Sequence, residues 1–180
     1  QVIRPDGPGY PPTGLISIEN THNRCGGAVL SLDYMRSVRE LASSRAVPVH
    51  LDGARIFNAA ASLGVTPAEI AAEVDSVQFC FSKALAAPVG SMVVGDAPFI
   101  AKVRAMRKLL GGAMRQAGVI AAAAIVSLET MVDRLPEDHA RARALAEGIA
   151  QIPGLSIDPE TVQSNIVVFK PEPAIDQAVL

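Results

Sequence analysis

Val47-Pro48-Val49-His50-Leu51-Asp52-Gly53-Ala54-Arg55 and Asp75-Ser76-Val77-Gln78-Phe79-Cys80-Phe81-Ser82-Lys83 are the two stretches that decide the fold. Each is a short apolar run that stops at a chemically active residue. The first ends at Asp52-Gly53 and the second leads through Ser82 to Lys83. Asp52 and Lys83 lie 31 residues apart, about the length of one strand-helix-strand unit. Between them Thr66 followed by Pro67 caps a helix over 68–73, with proline at its first position.

The pattern repeats outward. Leu15–Ile18 reads as an earlier strand, followed by the polar turn Glu19-Asn20-Thr21-His22-Asn23 and a break at Gly26-Gly27. A helix starting at Asp33 places Met35, Val38, Leu41 and Ala42 on one face. Ser91–Val94 is a fourth strand. Strands alternating with helices predict an α/β fold with a mainly parallel sheet and flanking helices. From Pro98 to about Arg134 the pattern is helical, broken at Gly111-Gly112, and Pro136 opens a further helix to about Gln151. Pro153-Gly154 then turns into two weaker strands, Leu155–Ile157 and Asn165–Phe169. The expected division is a large-domain portion over 1–135 and the beginning of a small α+β domain over 136–180. Residues 1–14, rich in proline and glycine, read as an irregular loop.

Composition narrows the functional classes. The 180 residues are 49% apolar, enough for a substantial core. Lys plus Arg (16) nearly balances Asp plus Glu (18), which argues against nucleic-acid binding driven by bulk charge. No long uncharged apolar run predicts a membrane span. Two distant cysteines, Cys25 and Cys80, make no disulfide framework, so a reducing cytoplasm is the expected compartment. No His/Asp/Glu/Cys cluster has metal-ligand spacing, and no metal is expected.

In open α/β sheets, ligands sit beyond the carboxyl ends of the strands, the level that Asp52 and Lys83 share. An acid facing a pyridine nitrogen and an amine able to bond an aldehyde are the two groups that pyridoxal phosphate asks of a protein. On spacing alone, a turn aspartate and a solvated lysine fit these positions as well. His50 shares a strand face with Asp52 and reads either as a buttress for it or as a core histidine. His22 reads as a turn residue, His139 as exposed, and Cys80 as a small apolar residue of a buried strand.

The full strings carry a resemblance. His50-Leu51-Asp52-Gly53-Ala54-Arg55, Ser82-Lys83 leading into Ala87-Pro88-Val89-Gly90-Ser91, Arg107-Lys108-Leu109-Leu110-Gly111-Gly112-Ala113-Met114-Arg115-Gln116, and Glu19-Asn20-Thr21-His22-Asn23 resemble the L-threonine aldolases. The likeness runs from about Ile3 to Phe169. It implies the aspartate-aminotransferase-like fold (fold type I), pyridoxal 5'-phosphate as cofactor, and retro-aldol cleavage of L-threonine or L-allo-threonine to glycine and acetaldehyde. It also implies a homotetramer with sites completed across a subunit interface. By resemblance, Lys83 is the lysine that bonds the cofactor, Asp52 the partner of its pyridine nitrogen, and Ser82 a hydroxyl near its phosphate. Arg115 is the arginine that reaches a neighbouring subunit's phosphate, and Arg55 binds the substrate carboxylate. Lys108 receives no role.

The sequence departs from the family pattern at Ala84 and Ala113, where glycine is usual, and at Gly9-Tyr10, where a histidine is common. Family members also carry about a hundred residues ahead of this region, including a phosphate cradle and a ring that stacks on the cofactor. The chain is therefore expected to be a fragment. Two other readings stand beside the aldolase. One is a β-eliminating lyase, or another β-hydroxy amino-acid aldolase, on the same fold. The other is a non-catalytic α/β domain.

Overall fold

The computed structural model describes residues 3–4 and 7–173. Four strands, β1 (Ile16–Glu19), β2 (Val49–Asp52), β3 (Ser76–Cys80) and β4 (Ser91–Gly95), form one sheet in the order β1-β2-β3-β4. The pairings β1–β2 and β2–β3 are parallel and β3–β4 is antiparallel. The expected mainly parallel sheet is thus present, closed on one side by a hairpin-like return.

Helices cross between the parallel strands. α1 (Leu32–Ser43) joins β1 to β2, with Ser31 capping it by accepting the Tyr34 N–H. α2 (Ile56–Leu63) and α3 (Pro67–Ala71) join β2 to β3. Thr66 and Glu69 cap α3 reciprocally, each side chain bonding the other's backbone N–H. Val49, Leu51 and Val77 alternate toward these helices, as a strand's period of two requires. Leu51, Met35, Ile56, Ala59, Ile70 and Val77 form the central apolar cluster. A second cluster gathers Phe81, Leu85, Ala87, Ala124 and Leu135. Edge-on contacts from Phe57 to Phe79 and from Phe79 to Phe81 link the two.

α4 (Ala97–Leu109), α5 (Gly118–Thr130) and α6 (Leu135–Ile149) follow, then a separate antiparallel pair, β5 (Leu155–Ser156) with β6 (Lys170–Pro171). The structure departs from the sequence expectations at several places. β2 begins at Val49 rather than Val47, because Pro48 has no N–H to pair and only its carbonyl engages, accepting the Ile16 N–H. Leu41 is exposed, beside β1 at the sheet's outer edge. α2 was not anticipated: Ile56-Phe57-Asn58-Ala59-Ala60-Ala61-Ser62-Leu63 is apolar on nearly every side, and its N-cap Arg55 makes no capping bond. Asn165–Phe169 is not a strand. That stretch docks on the loop after β1, where Gln163 Oε1 accepts the Val29 N–H and Ser164 Oγ donates to the Gly27 carbonyl. A side chain at Gly27, which has φ +76°, would meet Ser164 Oγ at 2.3 Å, so the docking requires glycine there.

His139 is half-buried rather than exposed. The Asn58 amide donates to its Nε2 at 3.1 Å, tying α2 to α6. Burial lowers its pKa from the ordinary 6.5, with the Asp138 carboxylate offsetting part of the effect.

Two outcomes follow for the full-length protein. Leu51→Ala, at a position 0% exposed, should cost about 2–5 kcal/mol, read from urea unfolding; a loss under about 1 kcal/mol would contradict this core. Because the folded His139 takes up its proton less readily than the unfolded one, stability should fall as pH drops below about 6.5. His139→Gln should flatten that part of the profile of urea midpoint against pH; an unchanged slope would contradict the buried neutral imidazole.

Candidate active site at the carboxyl ends of β1, β2 and β3

The parallel register sets Glu19 beside Asp52 and Asp52 beside Gln78, so the ends of β1 and β2 meet the middle of β3 at one level. Gly53 then turns the chain away. Its N–H donates to the Gln78 carbonyl at 2.8 Å, and a Cβ there would lie 3.1 Å from that same oxygen. A glycine after Asp52 is therefore what lets β2 end this close to β3.

Asp52 is half-buried. Its Oδ1 accepts the Gln78 side-chain amide at 2.5 Å and the Ala54 N–H at 3.1 Å. Among the described residues no hydrogen bond reaches Oδ2. The carboxylate is held by one oxygen and open at the other. It borders a concavity of about 470 Å³ that Glu19, His22, Cys25 and Tyr34 also line.

Ser82 and Lys83 follow β3 and are both exposed. The Lys83 amine donates to Cys80 Sγ at 3.3 Å, and Ser91 Oγ reaches the same sulfur at 3.5 Å. Cys80 is half-buried rather than a core residue. Asp52 and Lys83 thus each bond a residue of β3, Gln78 and Cys80 respectively. Arg55, the N-cap of α2, is half-buried. Among the described residues it has no carboxylate within ion-pair distance. Arg115 is exposed in the loop between α4 and α5 and makes no hydrogen bond to Asp52, Ser82 or Lys83. Within this chain it stands apart from the site.

The two departures from glycine fit the backbone. Left-handed residues in those stretches are Ala86, Gly90, Gly111 and Gln116, not Ala84 or Ala113. His50 does not buttress Asp52; its Nδ1 lies 2.8 Å from Ser76 Oγ.

Several contributors escaped the sequence reading. Gln78 and Cys80 were readable only as strand residues, although their shared face with a register partner of Asp52 is a usable signal. Asn20 is fully buried and clamps the loop after β1, donating to the Leu30 carbonyl and accepting the Leu30 N–H. His22 Nε2 lies 3.5 Å from Glu19 Oε2, while its Nδ1 is buried without a partner.

Comparison with known proteins completes the description. The Beta-eliminating lyase family model matches residues 1–172. Low-specificity L-threonine aldolase 1 of Arabidopsis thaliana is 46% identical over 163 residues, covering 91% of this chain and 46% of that protein. The low specificity L-threonine aldolase of Escherichia coli K12 is 43% identical over 149 residues, covering 83% of this chain and 44% of its own length. A crystal structure from Exiguobacterium sp. 255-15, provisionally described as an aromatic amino acid beta-eliminating lyase/threonine aldolase, superposes with a TM-score of 0.77 at 29% identity. It covers 83% of this chain and 42% of that one. A PLP-dependent aminotransferase of Streptococcus suis 89-1591 shares the fold, with a TM-score of 0.64 at 21% identity, over 85% and 41% of the two chains. This chain spans less than half the length of these relatives. With the match extending over nearly every residue, the chain belongs to the beta-eliminating lyase family.

Proposed function

We propose that this chain carries the ring-binding side of a pyridoxal 5'-phosphate site in an aldehyde-lyase that cleaves L-threonine and L-allo-threonine to glycine and acetaldehyde. One observation carries the reading: Asp52, with Oδ1 held and Oδ2 open, and the exposed amine of Lys83 stand at the ends of adjacent parallel strands. Threonine aldolases among the relatives support the substrate class. The donor set fits the cofactor's ring end, with an unpaired carboxylate oxygen for a pyridine N–H and an accessible amine for an aldehyde.

Once bound, pyridoxal phosphate supplies an electron sink joined to the α-carbon of the amino acid. This chain's residues do the rest. Asp52 Oδ2 would accept the pyridine N–H, its negative charge favouring a protonated ring. The Lys83 amine would hold the cofactor's aldehyde carbon and, as a free amine, could take up a proton as a base. Arg55 offers its planar fork to the substrate carboxylate, for which it has no competing carboxylate among the described residues. Ser82 donates its hydroxyl to the phosphate, and Arg115 serves the phosphate of a neighbouring subunit in a homotetramer.

We keep the division into a cofactor-binding portion over 1–135 and the beginning of a smaller unit over 136–180, and place the enzyme in the cytoplasm. No helix among the described residues is long and apolar enough to cross a membrane. The name of the Exiguobacterium protein favours one second reading, β-elimination from an aromatic amino acid; release of ammonia instead of glycine would establish it.

In the full-length protein, Lys83→Ala should abolish covalent attachment of the cofactor and threonine cleavage. Borohydride reduction and peptide mapping should find the adduct on Lys83, whereas an adduct on Lys102 or Lys108 would remove the assignment. Asp52→Asn should retain cofactor yet lose turnover by on the order of 10²-fold or more, since a neutral amide holds the pyridine proton poorly. Unchanged kcat with normal cofactor content would contradict that pairing.

A further inference from the structure

We infer that Gln78 and Cys80, alternate residues on one face of β3, are the positioning residues that set Asp52 and Lys83 relative to each other; the inference rests on the cofactor site proposed above. A strand sends successive side chains to opposite faces. On β3, Val77 and Phe79 join the apolar clusters on one face. Ser76, Gln78 and Cys80 occupy the other, and each bonds a different polar partner. Ser76 meets His50, Gln78 meets Asp52, and Cys80 meets Lys83. Two steps of a strand, roughly 6.5–7 Å, therefore separate the anchor of the acid from the anchor of the amine. That spacing is built into backbone rather than into the flexible lysine stem or the loop after β3.

The two anchors differ in kind, and each suits its task. The Gln78 amide and the Ala54 N–H both converge on Asp52 Oδ1. Crowding both donors onto one oxygen fixes the carboxylate plane and leaves Oδ2 as its free acceptor. Cys80 holds Lys83 through sulfur, a weak acceptor. A carboxylate in that place would pair with the ammonium and keep the amine's lone pair occupied by a proton. A thiol steers the amine and lets it go. Ser91, the register partner of Cys80 on β4, donates to the same sulfur from the neighbouring strand, so the thiol is itself oriented.

The experiment uses full-length protein stripped of cofactor and then given free pyridoxal phosphate, with covalent attachment read by borohydride trapping on the Lys83 peptide. Cys80→Val, which keeps an apolar side chain but no acceptor, should slow attachment roughly three- to ten-fold, the effect of losing one hydrogen bond. Cys80→Ser, which restores an acceptor, should stay within about threefold of the parent. In a Lys83→Ala background, Cys80→Val should leave cofactor affinity unchanged. Gln78→Leu should weaken affinity several-fold while Asp52 is present and add no further loss in Asp52→Ala. A purely packing role for Cys80 reverses the order, with Val tolerated and Ser not, and would overturn the inference. So would a Gln78→Leu loss that persists without Asp52. If the parent traps no cofactor on Lys83, the proposed function falls first and this inference with it; if it traps normally and all variants match it, only the inference falls.

Discussion

The parallel pairing of β2 with β3 governs this molecule. It places Leu51 beside Val77 on the face that packs against α1, α2 and α3, and Asp52 beside Gln78 on the opposite face. A slip of one residue would exchange the faces of every side chain on the strand. It would expose Leu51 and drive an unpaired carboxylate into the apolar cluster. Burial of the aliphatic face thus enforces the polar arrangement on the other, and the position of the acid is secured by the hydrophobic core.

The ends of the strands depend on the same pairing. β2 stops where Gly53 donates to the Gln78 carbonyl, at an approach that a Cβ would crowd. The loop after β1 is secured separately by Asn20, whose fully buried amide makes both bonds to Leu30 and relieves the desolvation that burying it imposes. The segment 163–168 then seats against that loop at Gly27 and Val29. Residues late in the chain therefore brace the first of the three strand ends that make the site.

What could be read from sequence was what local chemistry announces. Asp52-Gly53 and Ser82-Lys83 end apolar runs of strand length, and Thr66-Pro67 declares a helix start. These features act within a few residues, so a one-dimensional pattern contains them. α2 escapes a sequence pattern because it has only 8 residues, so its polar stripe is just Asn58 and Ser62, and Arg55 is not a capping residue. The stretch 165–169 looked like a strand because it is apolar and β-branched, but its place depends on partners more than 130 residues away. Gln78 and Cys80 were unremarkable singly. Their meaning comes from folded contacts: register sets Gln78 beside Asp52, and the turn after β3 brings Lys83 back to Cys80.

Charge on the helices follows the same logic of partners. Arg36, Arg39, Arg134, Arg141 and Arg143 each lie within ion-pair distance of a carboxylate. Surface pairs of this kind contribute little stability, but each of these five guanidinium groups already has an anion beside it. Arg55 differs in being half-buried, at the amino end of α2, with no carboxylate in range among the described residues. The helix dipole there also favours negative charge. Asp52, only three residues away, keeps its bonded oxygen turned to Gln78 and Ala54 instead. Acid and guanidinium are close in sequence yet form no ion pair with each other. The carboxylate suits a ring nitrogen and the guanidinium suits the carboxylate of an amino acid, which is the division of labour that the proposed reaction requires.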